Sequence, residues 1–344
     1  MNSSIQITEE LLVSKLGSTW FIDSAYLFFL SPINLIGFLV NIACFMILFL
    51  KNNHKKSKTT TKAKLFKYLT VYSLNSAFTC LLHSFLFITY SPHYFPHLSF
   101  EWFPKFYRCR ILSYVSMSLY FFGSILDILI AIDRLSIFLK NGFNYLDGIR
   151  PYKKCTIAFL ISFMINTPIL LSLFILDNNN LHDLNAVTVC GQTEFALSDQ
   201  GMNINLILLF VRDISSLIVE ALFTCLSIYY YKRFTLDPLH KYYQIINNDN
   251  SKMIKQNKRL KNKSKNFLLI SIYLLASSII LHTIVFSVMI MTWYVNVKNI
   301  IQYSILILTL AIAFLSKNFL HLIIFYFFNT QFKRQFKIFS FFKP

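Results

Sequence analysis

The sequence predicts an all-α membrane protein, a seven-transmembrane helix bundle with a short amphipathic interfacial helix after the last span, and three observations carry that prediction. The 344 residues are 55% hydrophobic, with 37 Phe and 19 Tyr. Only 7 Gly and 8 Pro are present, too few turn residues for an all-β chain of this size. Seven apolar stretches reach about 20 residues, enough at about 1.5 Å per residue to cross roughly 30 Å of hydrocarbon.

The stretches lie near 26–50, 68–90, 110–139, 155–176, 204–231, 266–293 and 300–327. In lipid every backbone N–H and C=O must be satisfied within its own segment, so apolar runs of this length read as helices. Residues 1–25 then form an extracellular N-terminus, 26–328 the bundle, and 329–344 a cytoplasmic amphipathic helix and tail. Residues 1–25 carry neither the basic start nor the small-residue cleavage site of a signal peptide, so the first run is expected to insert as the first helix.

Orientation follows from charge. The tract "KNNHKKSKTTTKAKLFK" holds seven Lys and Arg, the stretch from Lys232 to Lys265 ten, residues 134–154 five, and the tail four. That puts 26 of the 33 on one side of the predicted bundle, and basic residues mark the cytoplasmic face. The N-terminus is therefore expected outside and the C-terminus inside, in a multi-pass protein of the plasma membrane. The net charge of +18 is mostly topology and excludes nothing but a nucleic-acid role.

Cys44, Cys80 and Cys225 fall inside spans, where a thiol is usually a small buried hydrophobe, and Cys155 sits at the inner edge of the fourth. Cys109 and Cys190 are the two on the outer, oxidising side, which predicts a disulfide tying the loop between the fourth and fifth segments over the bundle mouth. The alternative is two free outer thiols. Asn2 opens an outer "NSS" glycosylation sequon, whereas Asn262 of "NKS" faces the cytosol.

The third segment ends "DILIAIDRLSIFLK". An Asp-Arg pair at a helix end is often only a solvated cap. Here Asp133 follows Cys109 by 24 residues, about 36 Å of helix, which places the pair at the cytoplasmic rim. With these residues the chain resembles a rhodopsin-like G-protein-coupled receptor, of the divergent kind found among invertebrate orphan receptors. Cys109, Asp133 and Arg134 match that family's third-helix pattern, with Leu135 in place of its Tyr. "WFPKFYRC" is similar to its outer loop, which points to Trp102, and "GFLVN" supplies Asn41. "FYFFNTQFKRQF" looks like its junction into a membrane-parallel helix. Phe328, Phe332, Phe336 and Phe339 recur at helical spacing with bases between them, so this helix is expected flat at the inner interface.

Departures from the family are equally plain. The second segment offers Asn75 or Ser76 where the family keeps a carboxylate, "NFLLISIYLLASSIILHTIVFSVMIM" in the sixth contains neither the family's Trp nor its Pro, and the seventh has no Pro. "HLIIF" stands where an Asn-Pro-x-x-Tyr motif would be, with His321 at the Asn position. Proline makes a bending point by removing a helix hydrogen bond, so these segments bend without it or bend less.

Intramembrane charges need partners, because each costs about 2.5–3.5 kcal/mol to insert. Asp127 and Lys317 lie about 27 and 26 Å below the outer ends of their segments, and opposite signs at equal depth predict a bridge, with His321 adjacent; separate satisfaction of each by water or backbone is the alternative. Asn41, Asn75, Asp127, Lys317 and His321 make up the expected buried polar centre. Arg212 and Asp213 lie nearer the outside, at pocket depth, and with Trp102 are candidate ligand contacts; pairing with neighbouring helices is the alternative. Glu220 lies deeper on nearly the same face as Asp213.

Other seven-helix functions fit less well. Lys317 sits two residues too far along for an opsin's Schiff-base lysine, and His83, His282 and His321 do not share a helix at ligand spacing as a zinc hydrolase of the adiponectin-receptor type requires. Neither repeated halves nor Gly/Pro-broken helices point to a transporter. No catalytic residues, metal ligands or cofactor motifs emerge. The resemblance implies a receptor that binds an extracellular peptide or small chemosensory molecule, with a heterotrimeric G protein and the lipid bilayer as partners. In that reading Arg134 lines the inner cavity and Asp133 restrains it at rest. A receptor-like protein that does not signal is the alternative.

Overall fold

The computed structural model describes residues 24–54, 61–86, 102–138, 149–175, 190–236 and most of 269–291 and 305–319. Helix α1, Ser31–His54, is preceded without a break by a π-helical turn, Ala25–Leu30. Pro32 cannot donate to the carbonyl one turn back, and the widened turn just before it makes room for its ring. Helix α2 spans Thr61–Ser84 and packs along α1. It starts earlier than the apolar run because "TKAKLFK" is made mostly of strong helix formers. Its inward face is polar, with Thr70, Ser73, Asn75, Ser76, Thr79 and His83 all buried.

The third helical rod, α3, comprises Trp102–Phe106, a π-helical stretch Tyr107–Ser116 and Met117–Phe138. It begins a full two turns before Cys109, so that cysteine lies within the helix rather than opening it. Pro104 falls in the first turn, where a missing N–H costs nothing. The outer half of α3 is tied to its neighbours: Tyr107 Oη donates to the Leu82 carbonyl, and Arg110 to the Leu170 carbonyl. Tyr114 Oη donates to the Phe163 carbonyl at 3.1 Å.

Helix α4, Pro151–Ser172, opens with proline at its first position and runs into a strand, β1, Leu173–Ile175. Strand β2, Cys190–Gln192, pairs antiparallel with it, Phe174 opposite Gly191 and Ile175 opposite Cys190. This short pair amends the all-α expectation. Thr193 then caps a single turn, α5, Glu194–Leu197, and its hydroxyl donates to the Leu171 carbonyl at 2.7 Å. Ser198 caps the next rod, α6, by accepting from the Gly201 N–H at 3.1 Å. Rod α6 comprises Asp199–Leu209, a π-helical turn Phe210–Ser215 and Ser216–Leu236. Two shorter apolar helices follow, α7 at Leu275–Val288 and α8 at Leu308–Lys317.

Three apolar clusters join these rods. Cys44, Leu48, Tyr68, Tyr72, Phe122, Leu126, Cys155 and Ala158 bind α1 to α4 together. Tyr120, Leu281, Val285, Leu310 and Ala313 pack α3, α7 and α8, while Tyr26, Leu30, Leu86 and Ala311 bring α8 against the start of α1. The outward faces are also apolar, Phe28, Phe29, Leu39, Met164, Ile207 and Ile280 among them, as lipid requires and water does not. Three described helices, Ala25–Leu50, Trp102–Asp133 and Pro151–Ser172, are long and apolar enough to cross a membrane.

Candidate functional site: a buried polar network

The bundle centre holds the groups that an apolar interior should exclude. Asp127 on α3 and Lys317 at the end of α8 are both buried, and Nζ stands 3.6 Å from Oδ2. The lysine also donates to Ser124 Oγ at 3.2 Å and lies 4.8 Å from the centre of the Tyr120 ring. Gly123 lies beside it, at a place where a Cβ would make ordinary contacts with Asn75 Nδ2 at 3.4 Å and Lys317 Nζ at 3.8 Å. Asn75 in turn donates to the Leu119 carbonyl at 3.1 Å, joining α2 to α3. Asn41 is buried, with its amide donating to the Gly37 carbonyl of its own helix at 2.8 Å. His321 lies outside the described residues.

The network continues through α7. His282 Nδ1 meets Tyr120 Oη at 2.8 Å and Asp213 Oδ1 at 3.2 Å, and its Nε2 meets Ser124 Oγ at 3.4 Å. Asp213 Oδ2 accepts from Arg212 Nε at 3.0 Å and Nη2 at 2.8 Å. Adjacent side chains on an ordinary α-helix diverge; this pair meets within the widened turn Phe210–Ser215, where Ser216 Oγ bonds the Arg212 carbonyl. Arg212 Nη1 rests on Met117 Sδ at 3.6 Å. Two turns further along α6, Glu220 accepts from Ser278 Oγ at 3.3 Å. Asp213 and Glu220, predicted to share a face, both turn that face to α7.

Among the candidate ligand contacts, Arg212 and Asp213 are 3% and 1% exposed and pair with each other, and Asp213 also meets His282 of α7. Trp102 is 66% exposed and stacks on Phe106 in the first turn of α3. His282 and Tyr120 were not singled out as site residues from sequence. A lone His and a lone Tyr on apolar faces give no local signal; the available clue was an intramembrane acid, Asp213, needing a partner.

At the C-terminal end of α3 Asp133 forms an ion pair with Lys154 of α4 at 3.6 Å, both buried. The expectation gave Asp133 only Arg134 to restrain. Lys154 reaches it because α4 begins with Pro151 against α3, bringing a base that counts as mere topology in the sequence to the acid. Leu135 is fully buried. The side chain of Arg134 lies outside the described ones, as do Asn2, Phe332 and Phe336. Lys67 of α2 stands 5.8 Å from the Tyr152 ring, so the inner ends of α2, α3 and α4 meet around these charges.

Cys44, Cys80 and Cys155 are buried free thiols. Cys225 is free but exposed, on the outward face of α6 rather than buried in the span. Cys109 is buried and disulfide-bonded. His83 is engaged separately, with Nδ1 2.7 Å from the Thr79 carbonyl and Nε2 3.3 Å from Ser116 Oγ. Among the described residues no group of three or more His, Cys, Asp or Glu is placed to hold a metal ion.

No family model matches the chain, and no curated protein matches it in sequence. In structure it is similar to squid rhodopsin, with a TM-score of 0.65 and 11% identity over 91% of this chain and 84% of that one. Apolar rods packed around a buried polar centre, and this likeness across nine-tenths of the chain, make it a membrane protein of rhodopsin-like fold.

Proposed function

We propose that this protein is a G-protein-coupled receptor of the rhodopsin-like class, spanning the plasma membrane seven times with its N-terminus outside. The observation that carries the reading is α3. Within a rhodopsin-like fold it sets a buried, oxidised Cys109 near its outer end and Asp133-Arg134 at its inner end. An extracellular peptide or small molecule shifts the population of bundle conformations and opens an inner cavity for a heterotrimeric G protein. Arg134 and Leu135 line that cavity, and Asp133, held also by Lys154, sets its resting state.

Cys109 pairs with Cys190 in this reading. The four other cysteines are free, and Cys190 sits on a strand paired to the end of α4. Asn2 is glycosylated, and Phe332 and Phe336 anchor the last helix at the inner interface. A ligand reaches Arg212 or Asp213 only by exchanging a partner that each already has, so ligand contact there and rearrangement of the network are one event.

Recruitment of a panel of engineered G proteins to the plasma membrane tests the proposal, with wild type compared against Arg134→Ala at matched surface levels, with and without source-tissue extract. Recruitment by wild type that Arg134→Ala abolishes is the expected result. Recruitment by neither, in the presence of an extract active on other receptors, would favour a protein that keeps the fold without signalling.

A further inference from the structure

Donor and acceptor chemistry links the central network across four rods. A lysine ammonium only donates, so Ser124 Oγ accepts from Lys317 Nζ at 3.2 Å. The serine also meets the Tyr120 carbonyl of its own helix and His282 Nε2, each at 3.4 Å. The other ring nitrogen, Nδ1, faces Tyr120 Oη at 2.8 Å and the Asp213 carboxylate at 3.2 Å, so in either tautomer the imidazole bridges α3 and α6. Asp213 accepts from Arg212 through its other oxygen. The series joins the cation on α8 through α3 and α7 to the anion on α6.

We infer that His282 is a positioning residue that latches α7 to α3, α6 and α8 through a hydrogen-bonded relay, Lys317–Ser124–His282–Asp213. The relay ties four rods through one imidazole, in a helix that has neither Pro nor Trp to fix its bend. Its consequence for signalling rests on the receptor reading: cutting the relay frees α7 and raises ligand-independent recruitment. The relay itself does not rest on that reading.

The test places spin labels at Ile157→Cys on α4 and Ile272→Cys just before α7, both lipid-facing positions, in a Cys225→Ser background. Ser124→Ala removes the middle of the relay without altering a charge. The expected result is a shift of the label distance by more than about 2 Å, beyond the small displacements of packed helices. His282→Asn keeps a donor toward Asp213 but is too short to reach Ser124, so it gives the same shift, and the two changes together add nothing. Ser124→Thr, which keeps the hydroxyl, retains the wild-type distance. His282→Asn carries the test alone if Ser124→Ala does not fold.

An unchanged distance in folded Ser124→Ala or His282→Asn overturns the relay, whatever the recruitment assay shows. Shifts that sum in the double variant also overturn it. A shifted distance with no G-protein recruitment in any variant supports the relay and refutes the receptor reading.

Discussion

Replacing Lys317 by Met leaves the Asp127 carboxylate facing an apolar side chain, and the size of that loss follows from the geometry. At a separation of 3.6 Å two unit charges attract by about 4–5 kcal/mol at an effective dielectric constant of about 20. Breaking a buried pair by removing one partner typically costs about 3–5 kcal/mol, because the remaining charge stays in the low-dielectric interior. Lys317→Met and Asp127→Asn are each expected to destabilise by that amount. The double variant should lose less than the sum by about 1–3 kcal/mol, since neither charge is then stranded.

The protein supplies its own probe. Cys44, Cys80 and Cys155 are buried free thiols that become reactive on unfolding, whereas Cys225 is exposed and is replaced by Ser. A thiol-reactive fluorogenic dye then follows denaturant unfolding of the detergent-solubilised protein. Losses that add within about 0.3–0.5 kcal/mol would refute the reasoning, by showing that the two groups do not feel each other.

Other expectations follow from single sites. Lys154→Met should cost about 3 kcal/mol in the same assay, with much of it recovered by Asp133→Asn in the double variant; no recovery would mean that Lys154 only packs. Gly201→Ala should destabilise by at least about 1–3 kcal/mol, since its Cβ would lie 1.7 Å from the Phe195 carbonyl oxygen and α5 would have to move. Unchanged unfolding would show that this turn yields freely. Cys109→Ser and Cys190→Ser should each cost about 2–5 kcal/mol and lower surface expression equally, and the double variant no more than either. Unequal losses would break the proposed pairing.

The legible parts of the site were those where two charges announce each other. Asp127 and Lys317 are both expensive in lipid and lie at the same depth, so their approach could be anticipated from helical rise alone. The Arg212–Asp213 contact could not, because consecutive residues on a regular helix point about 100° apart and nothing in "FVRDIS" marks a widened turn. His282 was hidden for a related reason: its partners come from α3 and α6, and only packing brings them together. Lys154 carries no signal of its own among the many bases between the predicted spans. In the fold, apolar length located the rods but not their ends, since α2 begins in a lysine-rich tract and α3 begins in an aromatic loop, where backbone propensity rather than hydrophobicity decides.

The two kinds of buried ion pair face different problems while the chain is being made. Arg212 and Asp213 are neighbours, so their segment can leave the translocation machinery with its charges already cancelled. Asp127 and Lys317 are about 190 residues apart. At roughly 5–20 residues per second the acid must wait about 10–40 s in the membrane before its counter-ion is synthesised. For that interval the third rod is held by packing against the rods already made, α1, α2 and α4 and then α6 and α7, without its counter-ion. The last rod therefore closes the molecule electrically as well as sterically, and truncations or slow translation upstream of Lys317 should strand an otherwise complete bundle for degradation.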